Sequence, residues 1–128
     1  MDNLTHTLAG FALAESGLKH TTRLGTATLV LAANLPDLDG LSYLFGSATD
    51  GLAFRRGWTH GVLAMVLLPP LLTAGMLGWS RLGGGAGARV RGGWLLLLAA
   101  IGVISHPLLD LLNTYGVRLL MPFSERWF

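Results

Sequence analysis

Residues 61–79, GVLAMVLLPPLLTAGMLGW, contain no charged side chain. A helix needs about 20 consecutive apolar residues to cross the hydrocarbon core of a bilayer, so this run limits what the chain can fold into. Either it spans a membrane, or it is the buried centre of a soluble bundle. A second apolar run, GWLLLLAAIGVIS at 93–105, is extended by the Leu-rich segment through 112. Two such runs in 128 residues favour the membrane. Composition agrees, because only 12% of residues are charged, about half the usual share of about 25%. Pro69 and Pro70 fall mid-run, where a spanning helix tolerates them if neighbours satisfy the freed carbonyls.

The pattern predicts an all-α, membrane-embedded bundle of about four helices, forming a single domain over residues 1–128. The first helix is expected from about Thr5 to Glu15, ended by Ser16-Gly17. The second covers about 24–35, stopped by Pro36 because the residue before a proline avoids helical geometry. A loop rich in Gly, Ser and Asp follows. The third helix is expected from about Thr59, as its N-cap, to Ser80. Residues 81–93, RLGGGAGARVRGG, read as a flexible linker. The fourth helix is expected over 94–115, broken at Pro107 and capped by Gly116. At 1.5 Å per residue the first two helices reach only roughly 16–18 Å. They are too short to span, and read as a re-entrant or interfacial hairpin beside two spanning helices.

This scheme places the polar residues with little freedom. His6 starts the first helix, Asp37 and Asp39 follow the second, His60 starts the third, and His106 and Asp110 end the fourth. In an up-down-up-down bundle all of those positions lie at one end. His20 falls at the opposite pole and reads as a solvated loop residue. The chain has no cysteine, which excludes disulfides and thiolate sites and leaves His and carboxylate as metal ligands.

Each motif has a chemical and a bland interpretation. In SHPLLD (105–110), His106 and Asp110 are four apart and share a helical face, so they can grip one ion or form a structural pair. Gly102 and Ala99, further back, let a second helix approach closely. In NLPDLD (34–39), two carboxylates one residue apart can reach a common centre from a turn, although Asp is frequent in turns regardless. In RRGWTHG (55–61), His60 is a candidate transition-metal ligand. Arg55 and Arg56 beside it suit either a phosphate or lipid headgroups. The net charge of +2 is scattered, with no basic run interleaved with aromatics, so nucleic acid is not an expected partner.

Together THTLAG, LPDLD, RGWTHG and SHPLLDLLNTYGVRLLMPFSERWF resemble the YdjM-like family of inner-membrane metal-dependent hydrolases, also described as LexA-regulated and as a domain of unknown function. The family is distantly similar to zinc-dependent phospholipases C. The resemblance covers essentially the whole chain and implies a multi-pass protein of the bacterial inner membrane. By motif position, it implies His6, Asp37, Asp39, His60, His106 and Asp110 as metal residues, with Asp37, Asp39 and Asp110 as catalytic carboxylates. Arg55, Arg56 and Thr114 are the expected substrate-binding residues. Family members commonly continue beyond the PFSERWF segment, so this chain is expected to be a fragment, a truncated form or a naturally short member.

The function so implied is hydrolysis of a phosphoester or phospholipid-like substrate by water activated on a divalent ion, zinc first and manganese second. Six ligands suit two ions more naturally than one. The main rival is a non-enzymatic membrane protein held together by a structural metal or a His–Asp network. An ion transporter ranks third, because 61–79 offers only Thr73 as a polar residue along the span.

Overall fold

The computed structural model describes residues 2–44, 56–82 and 90–128. Among these it contains four α-helices: α1 (Asn3–Glu15), α2 (Gly25–Asn34), α3 (Val62–Leu82) and α4 (Gly92–Asp110). Two 3-10 segments, Leu18–His20 and Leu35–Leu44, follow α1 and α2. The Asp2 carboxylate caps α1 by accepting the Thr5 N–H at 2.7 Å, which starts that helix two residues before its predicted onset. Gly17, at φ 109°, turns the chain out of it.

α2 lies between α1 and α4, and α3 packs on α4. Two bonds fix the register of α2 along α4. At one end the Arg91 N–H donates to Thr22 Oγ1 at 3.1 Å; at the other His106 Nδ1 meets the Ala33 carbonyl at 2.6 Å. The α1–α2 hairpin therefore accompanies α4 from residue 91 to residue 106, about 22 Å at helical rise. Glycine makes this closeness possible. A Cβ on Gly102 would lie 2.5 Å from Ala32 Cβ, and one on Gly10 would lie 2.9 Å from Val30 Cα. Ala14, Leu29 and Leu98 fill the core between the three helices.

Much of the outer surface of the helices is apolar. Val66, Leu71 and Trp79 on α3, Leu96, Leu97 and Ile104 on α4, and Leu4 and Leu8 on α1 are exposed. α3 and α4 are both long and apolar enough to cross a membrane. Water would charge about 25 cal/mol for each Å² of such surface, whereas lipid would not.

Several boundaries differ from the pattern-based expectation. α3 begins at Val62 rather than Thr59, because the Val62 N–H is taken by the Leu119 carbonyl at 2.8 Å. Residues 57–60 form a turn closed by the His60 N–H on the Gly57 carbonyl at 3.1 Å, so Thr59 is no N-cap. α4 is unbroken at Pro107, which falls in its last turn, and it ends at Asp110. Gly116 does adopt a left-handed backbone, φ 72°, but lies beyond the helix and caps nothing. Past Pro36 the chain tightens into the 3-10 segment instead of opening into a loop. Most of the predicted loop and linker, and Arg55, lie outside the described residues.

Candidate metal centre

The six predicted residues converge at one pole of the bundle. His6 comes from α1, Asp37 and Asp39 from the 3-10 segment, His60 from the turn before α3, and His106 and Asp110 from the last turn of α4. All three imidazoles are fully buried, Asp110 and Asp39 nearly so, and Asp37 keeps 10% exposure. Two sets of ligand atoms lie within 4.8 Å of one another: His6, Asp37 and His106, and His60, His106 and Asp110. Either set could hold a metal ion. His106 belongs to both.

The separations are those of one coordination shell. His60 Nε2 lies 3.0 Å from His106 Nε2, 3.4 Å from Asp110 Oδ2 and 3.9 Å from Asp37 Oδ1. His106 Nε2 lies 3.6 Å from Asp37 Oδ1 and 3.7 Å from Asp110 Oδ2; His6 Nε2 lies 3.5 Å from Asp110 Oδ1. Ligands about 2.0–2.2 Å from a shared ion, at tetrahedral to octahedral angles, stand about 3 Å or slightly more apart. The His6 ring stacks on that of His106 with centroids 3.7 Å apart.

The proton of one central imidazole is fixed by its acceptor, and that of the other has two oxygens beside it. A carbonyl can only accept, so His106 Nδ1 carries a hydrogen and donates it to Ala33. His60 Nδ1 lies 3.1 Å from Thr59 Oγ1 and 3.4 Å from Asp39 Oδ2. The Thr59 hydroxyl donates to Asp39 Oδ2 at 3.0 Å, which leaves its lone pair for the His60 Nδ1–H. Both rings then aim an Nε2 lone pair at the same point. Among the described residues, His6 Nδ1 and Nε2, Asp37 Oδ2 and Asp39 Oδ1 are buried with no hydrogen bond. An unsatisfied buried polar atom costs about 1–3 kcal/mol, so this pole calls for something that electron pairs can bind.

Burial and neighbouring groups shift four of these side chains. Burial, and then the neighbouring His106, push the His6 pKa down to about 4. Burial also lowers that of His60, against the raising effect of its contact with Asp39. For Asp37 burial works upward, but the His106 and His60 rings outweigh it and the carboxyl stays below its usual range. Asp39 behaves similarly, with burial outweighed by His60 and the Arg56 N–H. Neutral imidazoles beside ionised carboxylates are what a divalent cation binds.

Around this cluster runs a second layer that the motifs did not reveal. Arg56 has a left-handed backbone, φ 57°, that points its N–H at Asp39 Oδ2, 2.8 Å away. Its carbonyl accepts the Arg118 N–H at 3.0 Å, and its Nη1 donates to the Gly116 carbonyl at 3.3 Å. The buried Arg118 guanidinium occupies the space a Cβ on Gly57 would need and stacks over Trp127. Val117 and Phe128 exchange two backbone bonds of 3.0 Å that close the C-terminal segment. Thr114 lies exposed in the turns after α4, outside the helix that was expected to run through it. His20 is exposed at the opposite pole, as anticipated.

Among the described residues, the fold and site are those of an all-helical protein with two apolar helices long enough to span a membrane and a buried His/Asp cluster able to hold a metal. The chain belongs to the YdjM inner membrane protein family, whose profile matches residues 1–128. It is 35% identical over 101 residues to inner membrane protein YbcI of Escherichia coli (strain K12), covering 77% of this chain and 54% of that protein. It is 27% identical over 142 aligned residues to the uncharacterized protein YfhP of Bacillus subtilis (strain 168), covering 99% of this chain and 39% of that protein. The chain thus spans about half the length, or less, of these curated relatives. No solved structure matches it.

Proposed function

We propose that this is a multi-pass inner-membrane hydrolase using one divalent ion held by His6, His60, His106, Asp37 and Asp110. The observation that carries the reading is the pair of Nε2 atoms 3.0 Å apart, with both Nδ1 hydrogens directed elsewhere. Two lone pairs at that distance repel unless a cation lies between them. Sharing of His106 Nε2 by both ligand sets favours one ion over the two that six ligands suggested, since a ring nitrogen has one lone pair to give. The nitrogen and oxygen donors suit zinc, and manganese as well.

A divalent ion held there would supply Lewis acidity and make water acidic enough to act as a nucleophile near neutral pH. The chain's own residues supply the rest. Asp37, the one partly exposed carboxylate of the set, is placed to take a proton from an entering water. Arg56, half-buried beside the cluster, is placed to hold an anionic oxygen of the substrate. The substrate class is a phosphoester with a lipid tail. Its support is the site's position at the ends of apolar helices.

Burial of all three histidines also fits a closed structural metal site with no catalytic role. One experiment separates the outcomes. The protein is purified in detergent beside His60→Ala and His106→Ala, and its metal is measured by elemental analysis. It is then incubated with phospholipid vesicles and a soluble phosphodiester. One ion per chain, lost in both variants, with release of phosphorylated product, supports the hydrolase. One ion without turnover leaves the structural site, and a folded protein that takes up no zinc or manganese overturns both.

A further inference from the structure

Asp39 belongs to the motif that suggested six metal ligands, yet its geometry differs from that of the other five. Neither compact ligand set includes it. Its Oδ2 faces His60 Nδ1 at 3.4 Å, on the side of the ring away from the Nε2 that meets His106 and Asp110. A 3-10 helix turns about 120° per residue, so positions 37 and 39 point about 120° apart. Asp37 therefore faces into the cluster while Asp39 faces the turn that carries His60.

We infer that Asp39 is a positioning residue that fixes the tautomer and orientation of His60, and is not itself a ligand; this rests on the metal-centre reading above. Three donors converge on Asp39 Oδ2: the Arg56 N–H at 2.8 Å, the Thr59 hydroxyl at 3.0 Å and the shared His60 Nδ1–H. An acceptor-only carboxylate oxygen at their focus forbids the alternative tautomer, in which Nδ1 would turn a lone pair toward negative charge. Nε2 is then left bare for a cation. A carboxylate behind a ligating imidazole also raises its basicity and holds its plane.

The same oxygen explains the backbone of Arg56. A left-handed backbone is unfavourable for a residue other than Gly, and here it delivers an N–H to Asp39 and a carbonyl to Arg118. Asp39 thus joins three separate pieces of chain: the 3-10 segment, the 56–60 turn and the C-terminal segment. His60 is positioned by the junction rather than by a helix.

The test uses the full chain in detergent, with Asp39→Ala, Asp39→Asn and His60→Ala. Histidine-selective ¹⁵N NMR on metal-free protein reports which ring nitrogen carries the hydrogen. Zinc affinity is measured by competition with a chromophoric chelator. In the wild type His60 is expected to be protonated on Nδ1. In Asp39→Ala it is expected to shift toward the other tautomer, with zinc bound about 10–100-fold more weakly but still at one ion per chain. Asp39→Asn keeps an acceptor oxygen and is expected to fall between the two, so it carries the test if the alanine variant does not fold. Loss of stoichiometric zinc in Asp39→Asn, matching His60→Ala, would make Asp39 a ligand and overturn the inference. An unchanged tautomer and affinity in the folded variants would overturn it as well. Because the NMR measurement needs no metal, a wild type that binds no zinc defeats the metal-centre reading and leaves the tautomer result to be judged alone.

Discussion

His60 Nε2 and His106 Nε2 face each other at 3.0 Å across the pole of the bundle, and the other nitrogen of each ring is engaged by an acceptor. One ring arrives from a turn and the other from a membrane-length helix, 46 positions apart in sequence. Only a proton or a metal ion shared between the lone pairs makes this contact favourable. The consequence is measurable as stability. A bound ion contributes about 4 kcal/mol at a thousandfold excess over its Kd. Stripping the protein with a chelator is therefore expected to lower its unfolding temperature in detergent, and zinc to restore it. His60→Ala, which removes the opposed lone pair, is expected to show no response to either.

The fit of α2 against α4 sets where the Ala33 carbonyl meets His106, and Gly102 sets that fit. Its missing Cβ would lie 2.5 Å from Ala32 Cβ and 3.0 Å from the Leu29 carbonyl, neither of which is a flexible side-chain end. Gly102→Ala is expected to destabilise the fold by about 1–3 kcal/mol through overpacking, and to weaken zinc binding by displacing the Ala33 acceptor. Gly75→Ala is the control, since a Cβ there meets nothing within 4 Å. It is expected to be neutral, or stabilising by up to about 1 kcal/mol from helix propensity. Thermal unfolding of both variants in one detergent tests the contrast.

Arg56 combines a left-handed backbone with a guanidinium that donates to the Gly116 carbonyl and lies over the Tyr115 ring. Arg56→Gly removes the penalty of φ 57° while keeping the backbone N–H on Asp39, and loses the 3.3 Å bond to Gly116. The two effects nearly offset, so stability is expected to change by less than about 1 kcal/mol. Arg56→Val keeps the strain, loses the same bond and is expected to unfold earlier. Both should bind the same amount of metal as the wild type. If the hydrolase reading holds, both should lose phosphoester affinity, seen as a raised KM.

What could be read from the chain followed from periodicity and topology. Apolar runs located α3 and α4, and alternation of helix direction sufficed to bring His6, His60, His106 and Asp110 to one pole. The close approach at Gly102 was also legible, because small residues flanked a polar pair. The different directions in which Asp37 and Asp39 face were not, since they depend on a 3-10 turn after Pro36 where an open loop was expected. Nor was the start of α3, fixed by a carbonyl at Leu119 that no local pattern announces. The acceptor at Ala33 and the Arg56–Arg118 bond involve backbone groups, which carry no residue-type signature. These contacts orient the site, and they are long-range in sequence.

His6 gives the clearest dependence on pH. Its folded pKa of about 4 lies below the ordinary value of 6.5, chiefly through burial and then through His106. Between those values the unfolded chain binds a proton that the folded chain does not, so stability rises with pH across the window. Metal-free protein is therefore expected to lose stability as pH falls from 6.5 toward about 4. Above 6.5 this contribution is complete and flat. His6→Ala should remove that part of the slope, and His20→Ala, at the exposed opposite pole, should leave it intact. Because His6 is already neutral at pH 7, zinc affinity should gain little from its titration between pH 7 and 8. Unfolding temperatures measured across this range on chelated protein decide the matter. A profile for His6→Ala that matches the wild type would show that the buried imidazole does not set the dependence.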